Sequence, residues 1–176
     1  MDEEERRGEH DARHRGLGKW AQAGVPKKGW EAVDWFDLEE PSGTCEMCET
    51  STIRFVHVMR HPEYFEDLDC GCVCAEHMQE DYVNPRKREK VMRNRAGRRA
   101  RFPDRKGWKL SAQGTPHIKV DGYHMVVAKR DGGFGVGITP PGSQKCRWGK
   151  KTYTTLEAAK RGCFDALEYA QEKGLR

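Results

Sequence analysis

Two short stretches, Cys45-Glu46-Met47-Cys48 and Cys74-Ala75-Glu76-His77, decide the reading of this chain; together they give C-x2-C-x25-C-x2-H. Four sulfur and imidazole ligands in two close pairs suit a tetrahedral Zn²⁺ ion, and a full set of four leaves no position open for a substrate. The predicted ligands of one structural Zn²⁺ are therefore Cys45, Cys48, Cys74 and His77. On a helix, the three-residue offset of the second pair puts both groups on one face, within reach of one ion. Cys70 and Cys72 crowd the same segment. Cys72 can replace Cys74 if the register shifts, although the spacing to His77 favours Cys74. Either can also be a packed thiol, because free cysteine is among the most buried residue types. Buried thiols without a metal are the alternative reading of the whole set.

Outward from the first pair, Pro41-Ser42-Gly43-Thr44 is a turn. Thr52 to Met59 is rich in β-branched and aromatic residues and predicts a strand, which His61-Pro62 breaks. Tyr64 to Asp69 predicts a second strand that Gly71 ends. A helix is expected from near Cys74 to about Val83. Asn84-Pro85 reads as N-cap and first residue of another helix, densely basic, running to about Arg101 and stopped by Phe102-Pro103-Asp104. Upstream, residues 1–18 are mostly charge and glycine and predict a mobile tail. Trp20, Trp30, Trp35 and Phe36 follow, punctuated by Gly24, Pro26 and Gly29, which predicts an irregular arm covering a core edge.

The C-terminal part has short strand candidates at Trp108–Leu110, His117–Val120, Tyr123–Ala128 and Phe134–Ile138. Asp121-Gly122 and Asp131-Gly132-Gly133 carry hairpin-turn chemistry. Thr155 is a good N-cap, and Leu156, Ala159, Cys163, Ala166, Leu167 and Ala170 recur at helical spacing to about Gln171. The expected fold class is α+β. A metal module with a β-hairpin and a helix comes first, then a basic helix, then a three-stranded antiparallel sheet with a C-terminal helix. The expected division is 1–18 tail, 19–83 aromatic arm and metal module, 84–106 basic helix and linker, and 107–176 βββα domain.

Leu, Ile, Val and Phe make up 27 of 176 residues, about 15%, under the roughly 20% at which disorder becomes a concern. A core this small benefits from a metal staple. No run of 18 apolar residues is present, so no membrane span is expected. The N-terminus has no apolar signal region, and the expected location is cytoplasmic. Seven cysteines, five of them within residues 45–74, fit metal binding in a reducing compartment better than a disulfide framework.

The net charge of +4 conceals a segregation: residues 31–81 carry two basic and fourteen acidic residues, and residues 82–109 carry twelve basic and two acidic. The basic helix has the electrostatic footprint of a phosphate-contacting element, with Arg86, Lys87, Lys90, Arg93, Arg95, Arg98, Arg99 and Arg101 as the candidate contacts. The competing readings are pairing with the acidic segment and binding of an acidic protein partner.

The order knuckle, hairpin and helix-borne second ligand pair over residues 45–83 resembles the treble-clef zinc finger. The resemblance implies a knuckle pair, Cys45 and Cys48, and a helix pair, Cys74 and His77. Cys-Glu-Met-Cys, Ile-Arg-Phe-Val-His and Gly71-Cys72-Val73-Cys74-Ala75 also look like small zinc proteins of bacteria and their phages, a group that implies no activity. The C-terminal unit resembles the three-stranded DNA-binding domains of integrase and AP2 type. With the basic helix in front, it also resembles double-stranded RNA-binding domains. Lys150-Lys151 and Ala159-Lys160 are the residues that carry this last likeness.

Some treble clefs are nucleases. Here His57 and His61 lie near the first strand's end without the paired residues such a site uses, and His77 is taken by the metal. His57 on an apolar strand reads as a core histidine and Cys163 as core. Cys146 stands in a basic context, between Lys145 and Arg147, which alone makes no active site. The expected function is non-catalytic nucleic-acid binding by a zinc-stabilised protein. The alternatives are a protein-binding adapter or inhibitor, as an accessory protein of phage or mobile-element origin, and a metal-dependent nuclease.

Overall fold

The computed structural model describes residues 17–175, so all but the last two residues of the predicted tail lie outside the described residues. The described residues form a mixture of three α-helices and several antiparallel sheets. It divides into two compact units between Ala96 and Gly97. Among the described residues no helix is long and apolar enough to cross a membrane.

The first unit contains β1 (Glu31–Asp37), β2 (Gly43–Thr44), β3 (Thr52–Ile53), β4 (Phe55–Arg60), β5 (Leu68–Cys70) and α1 (Cys72–Gln79). It also holds the start of α2 (Asn84–Arg101), which runs past the division. The strand expected over Thr52–Met59 is interrupted at Arg54. Its first two residues pair with β2, and the remainder becomes the centre of a sheet ordered β1-β4-β5. Part of the expected irregular arm is strand β1, with Trp35 opposite His57 and Asp37 opposite Phe55. The reason is tertiary: β4 is hydrogen-bonded by β5 on one edge, and its buried position requires a partner on the other.

Helix α1 begins two residues before the expected start and ends earlier, because Glu80 turns into the left-handed region at φ 53°. Asp81 then accepts from the backbone N–H of Val83 at 2.9 Å and of Asn84 at 3.0 Å, closing the loop into α2. The core of this unit gathers Trp30, Met47, Val56, Met59, Leu68 and Met78. Trp30 is 2% exposed and donates its indole N–H to Pro26 O at 2.9 Å, so this part of the arm does cover the core. Trp35 remains 46% exposed.

The second unit contains β6 (Lys109–Leu110), β7 (Pro116–Val120), β8 (Tyr123–Arg130), β9 (Gly133–Thr139), β10 (Arg147–Trp148) and α3 (Leu156–Glu172). The sheet has five antiparallel strands in the order β6-β7-β8-β9-β10 rather than three. The two additional edge strands are two residues each, too short to show an alternation in sequence. Asp121 and Gly122 both have positive φ, 50° and 82°, the geometry of a tight hairpin turn that matches strand twist. Thr155 Oγ1 accepts from Ala158 N at 3.1 Å and caps α3. Ala159, Cys163, Leu167 and Ala170 face Ile118, Val120, Met125, Val127, Val136 and Ile138 in one buried core. Helix α3 therefore covers one face of this sheet.

Candidate metal centre and cationic surfaces

The short β2–β3 ladder brings Thr44 opposite Thr52 and leaves Cys45–Ser51 as a closed turn. Within it Cys45 N donates to Ser51 O at 2.9 Å and Glu49 N to Cys45 O at 2.7 Å. Glu46 ties the turn to β5: its N–H donates to Asp69 O at 2.9 Å, and its carboxylate accepts from Asp69 N at 2.6 Å. The first turn of α1 then presents Cys74. The ligand atoms of Cys45, Cys48 and Cys74, all buried, lie within 4.8 Å of one another.

The surroundings suit bound thiolate. Gly71 N donates to Cys45 Sγ at 3.4 Å. The Cys45 thiol is drawn far below its ordinary range because Cys48, Cys70 and Cys74 hydrogen-bond to it. Cys74 and Cys70 are pushed up by the same contact and by burial. A soft divalent cation is the group that displaces the protons of such crowded thiols and lets several sulfurs ionise together. Three buried sulfurs at this separation, with an N–H donor aimed at one of them, fit a tetrahedral thiolate-rich metal such as Zn²⁺, whose bonds to sulfur are about 2.3 Å.

His77 does not join the three sulfurs within that limit. Its Nδ1 lies 3.1 Å from the Tyr82 hydroxyl, with the rings edge to face. Cys70, at the end of β5, is fully buried against Cys45. The choice between Cys72 and Cys74 follows from helix phase. Residues two apart on an α-helix point about 200° apart, so with α1 starting at Cys72 only one of them can face the knuckle. Cys74 does. Cys72 turns the other way, where it forms a second group with His57 and Glu89, again within 4.8 Å. The sequence reading placed His57 in the core, where it is fully buried, but Glu89 carried no signal because its partners come from β4 and α1.

The eight candidate phosphate contacts of the basic helix fall into different surroundings. Arg86 pairs at 2.5 Å with Glu76, which is 1% exposed. Arg93 pairs with Glu89 one turn before it. Arg98 pairs with Glu168 at 2.9 Å. Arg99 makes a bidentate contact with Asp165 at 2.8–3.0 Å, with only 19% of its side chain exposed. For Arg99, α3 supplies a carboxylate within the chain. Lys87, Lys90, Arg95 and Arg101 are exposed.

The sheet of the second unit offers a different cationic surface. The face away from α3 carries Lys109, His117, Lys119, His124, Val126, Ala128 and Arg130 by strand alternation and register. Gly135 and Gly137 lie on the same face, and a Cβ at either would collide with Arg130 or with Cys146 and Trp148 respectively. The two glycines therefore let Arg130 and Trp148 lie flat across the sheet. Arg130 sits 5.2 Å from the Trp148 ring centroid and donates to Gly149 O at 2.9 Å. His117 and His124 meet at 3.2 Å. Residues 97–176 as a whole hold 17 basic and 7 acidic residues.

No family model matches the chain, and neither the curated proteins nor the solved structures give a match.

Proposed function

We propose that this chain is a nucleic-acid-binding protein whose first unit is a treble-clef module held by one structural Zn²⁺. Cys45, Cys48 and Cys74 supply three ligands. His77 supplies the fourth through Nε2, with Tyr82 orienting the ring from Nδ1, as the outer partner of a ligating histidine does. The set is closed, and its work is to hold the knuckle, β5 and α1 together.

The observation that carries the binding function is the sheet face of the second unit that points away from α3. There an exposed tryptophan, an arginine stacked on it and two lysines lie on one surface. Aromatic rings stack on bases and cations neutralise phosphates, a combination that serves single strands and sheet-borne duplex readers alike. The basic helix has a smaller part in this reading, because carboxylates within the chain engage Arg86, Arg93, Arg98 and Arg99. Trp148→Ala tests the reading: binding of a labelled oligonucleotide should weaken at least about fivefold, the worth of one stacked base at about 1–3 kcal/mol. Equal affinity in parent and variant contradicts it.

A protein-binding role has its own observation. β1 is a sheet edge with Val33, Trp35 and Phe36 all more than a third exposed among acidic neighbours. A complex that survives nuclease treatment and is lost in Trp35→Ala would favour that role.

A further inference from the structure

We propose that His57, Cys72 and Glu89 form a second divalent-metal site, distinct from the sulfur cluster, with three protein ligands and one position open to solvent. The three come from β4, the first turn of α1 and the second turn of α2, and their ligand atoms lie within 4.8 Å of one another. Imidazole, thiolate and carboxylate together select a borderline cation such as Zn²⁺ or Co²⁺ over Mg²⁺ or Ca²⁺.

An independent observation points to a ligand here. His57 is 0% exposed, and its Nε2 has no hydrogen-bond partner among the described residues. Leaving a buried polar atom without a partner is unfavourable, and a metal bond would supply that partner. The group is close enough to share an ion, yet Nε2 makes no hydrogen bond to either neighbour.

The charges are compatible. Arg86 is already neutralised by buried Glu76. Arg93 occupies one side of the Glu89 carboxylate. A thiolate and a carboxylate balance a divalent ion, while His57 ligates as the neutral ring. For Nε2 to bind, the ring proton must sit on Nδ1. The Arg88 Nε contact there, at 3.5 Å the outer limit of a hydrogen bond, then lengthens. Arg88 keeps its 2.6 Å bond to Gln79 and its place over the Trp35 ring. Cys72 and Glu89 are half-buried rather than enclosed, which supplies the entry path and the open position. In consequence the ion would pin the beginning of α2 to the metal module.

The site is independent of the nucleic-acid reading and separable from the sulfur cluster. The test is a Co²⁺ titration of the full chain after metal removal and refolding, followed by absorbance and by metal content after desalting. The parent should take up two equivalents, one for each group. Cys72→Ser and Glu89→Gln should each retain one, with an unchanged far-ultraviolet dichroism spectrum. Glu89→Gln is the cleaner variant, since the partly exposed carboxamide preserves shape and leaves the cysteines untouched. A parent that binds a single equivalent, or Cys72→Ser and Glu89→Gln chains that both bind two, overturns the proposal.

Discussion

Three cations lie on the sheet face that points away from α3, Lys109, Lys119 and Arg130, and their replacement together by glutamine gives a quantitative test of that surface. Register fixes their side: Lys109 is opposite His117, Lys119 is opposite His124, and Arg130 is opposite Gly133. If each contacts one phosphate, each contributes about −0.9 to the slope of log affinity against log salt on duplex DNA, about −2.7 for the three. Between 50 and 200 mM salt the parent should then lose about 40-fold more affinity than the triple variant. Lys109 and Lys119 are exposed and enter no ion pair among the described residues, so the fold should tolerate the change. Arg130 loses a hydrogen bond to Gly149 O and its stacking on Trp148, a cost of about 1–2 kcal/mol that melting would register. The assay is fluorescence anisotropy of a labelled duplex and a labelled single strand at several salt concentrations. Lys87, Lys90 and Arg101 changed to glutamine form the control on α2. An unchanged slope in the sheet variant with a reduced slope in the helix variant would refute the reasoning and return the contact to the helix.

Cys45→Ser, Cys48→Ser or Cys74→Ser should lose the bound metal and unfold the first unit, since structural zinc supplies folding free energy directly. Cys146→Ser and Cys163→Ser should keep it, as metal analysis will show. Phe164→Ala, which removes a buried ring packed on Phe102, should cost about 3–5 kcal/mol in chemical denaturation. Thr155→Ala removes the α3 cap and should cost about 1 kcal/mol by the same measurement. Asp37 supplies an acid-side test: burial opposes its ionisation, but hydrogen bonds from Arg54 and from Glu39 N outweigh burial and hold its pKa below the ordinary value. Stability from the pair is therefore fully present above about pH 3.9 and lost as pH falls through the lowered folded value. Melting of Arg54→Gln across that range should show a shallower decline than the parent.

The elements that carry their own chemistry were legible in the sequence. The knuckle shows in its ligand spacing, the hairpins in Asp-Gly turns, and α3 in a capping threonine and an apolar stripe. What was hidden depends on partners distant in sequence. Strand β1 exists because β4 needs a neighbour, so its Gly- and Pro-punctuated surroundings read as irregular. β6 and β10 are too short to alternate. Arg98 and Arg99 looked like free phosphate ligands because Glu168 and Asp165 lie 70 and 66 residues away. Helix phase was hidden too: only a start at Cys72 sends that thiol toward His57 and Glu89 while Cys74 faces the knuckle. Cys70 lies against Cys45 through the register of β5 with β4, which the ligand spacing does not encode.

The central claim is a metal held by Cys45, Cys48 and Cys74 with His77. X-ray absorption at the zinc edge of Glu89→Gln protein carrying one equivalent of zinc tests it most directly. The account predicts a first shell dominated by sulfur at about 2.3 Å with one nitrogen at about 2.0–2.1 Å. A shell of four sulfurs would replace His77 with Cys70. A shell of oxygen and nitrogen alone, or a folded chain that holds no metal, would contradict the claim.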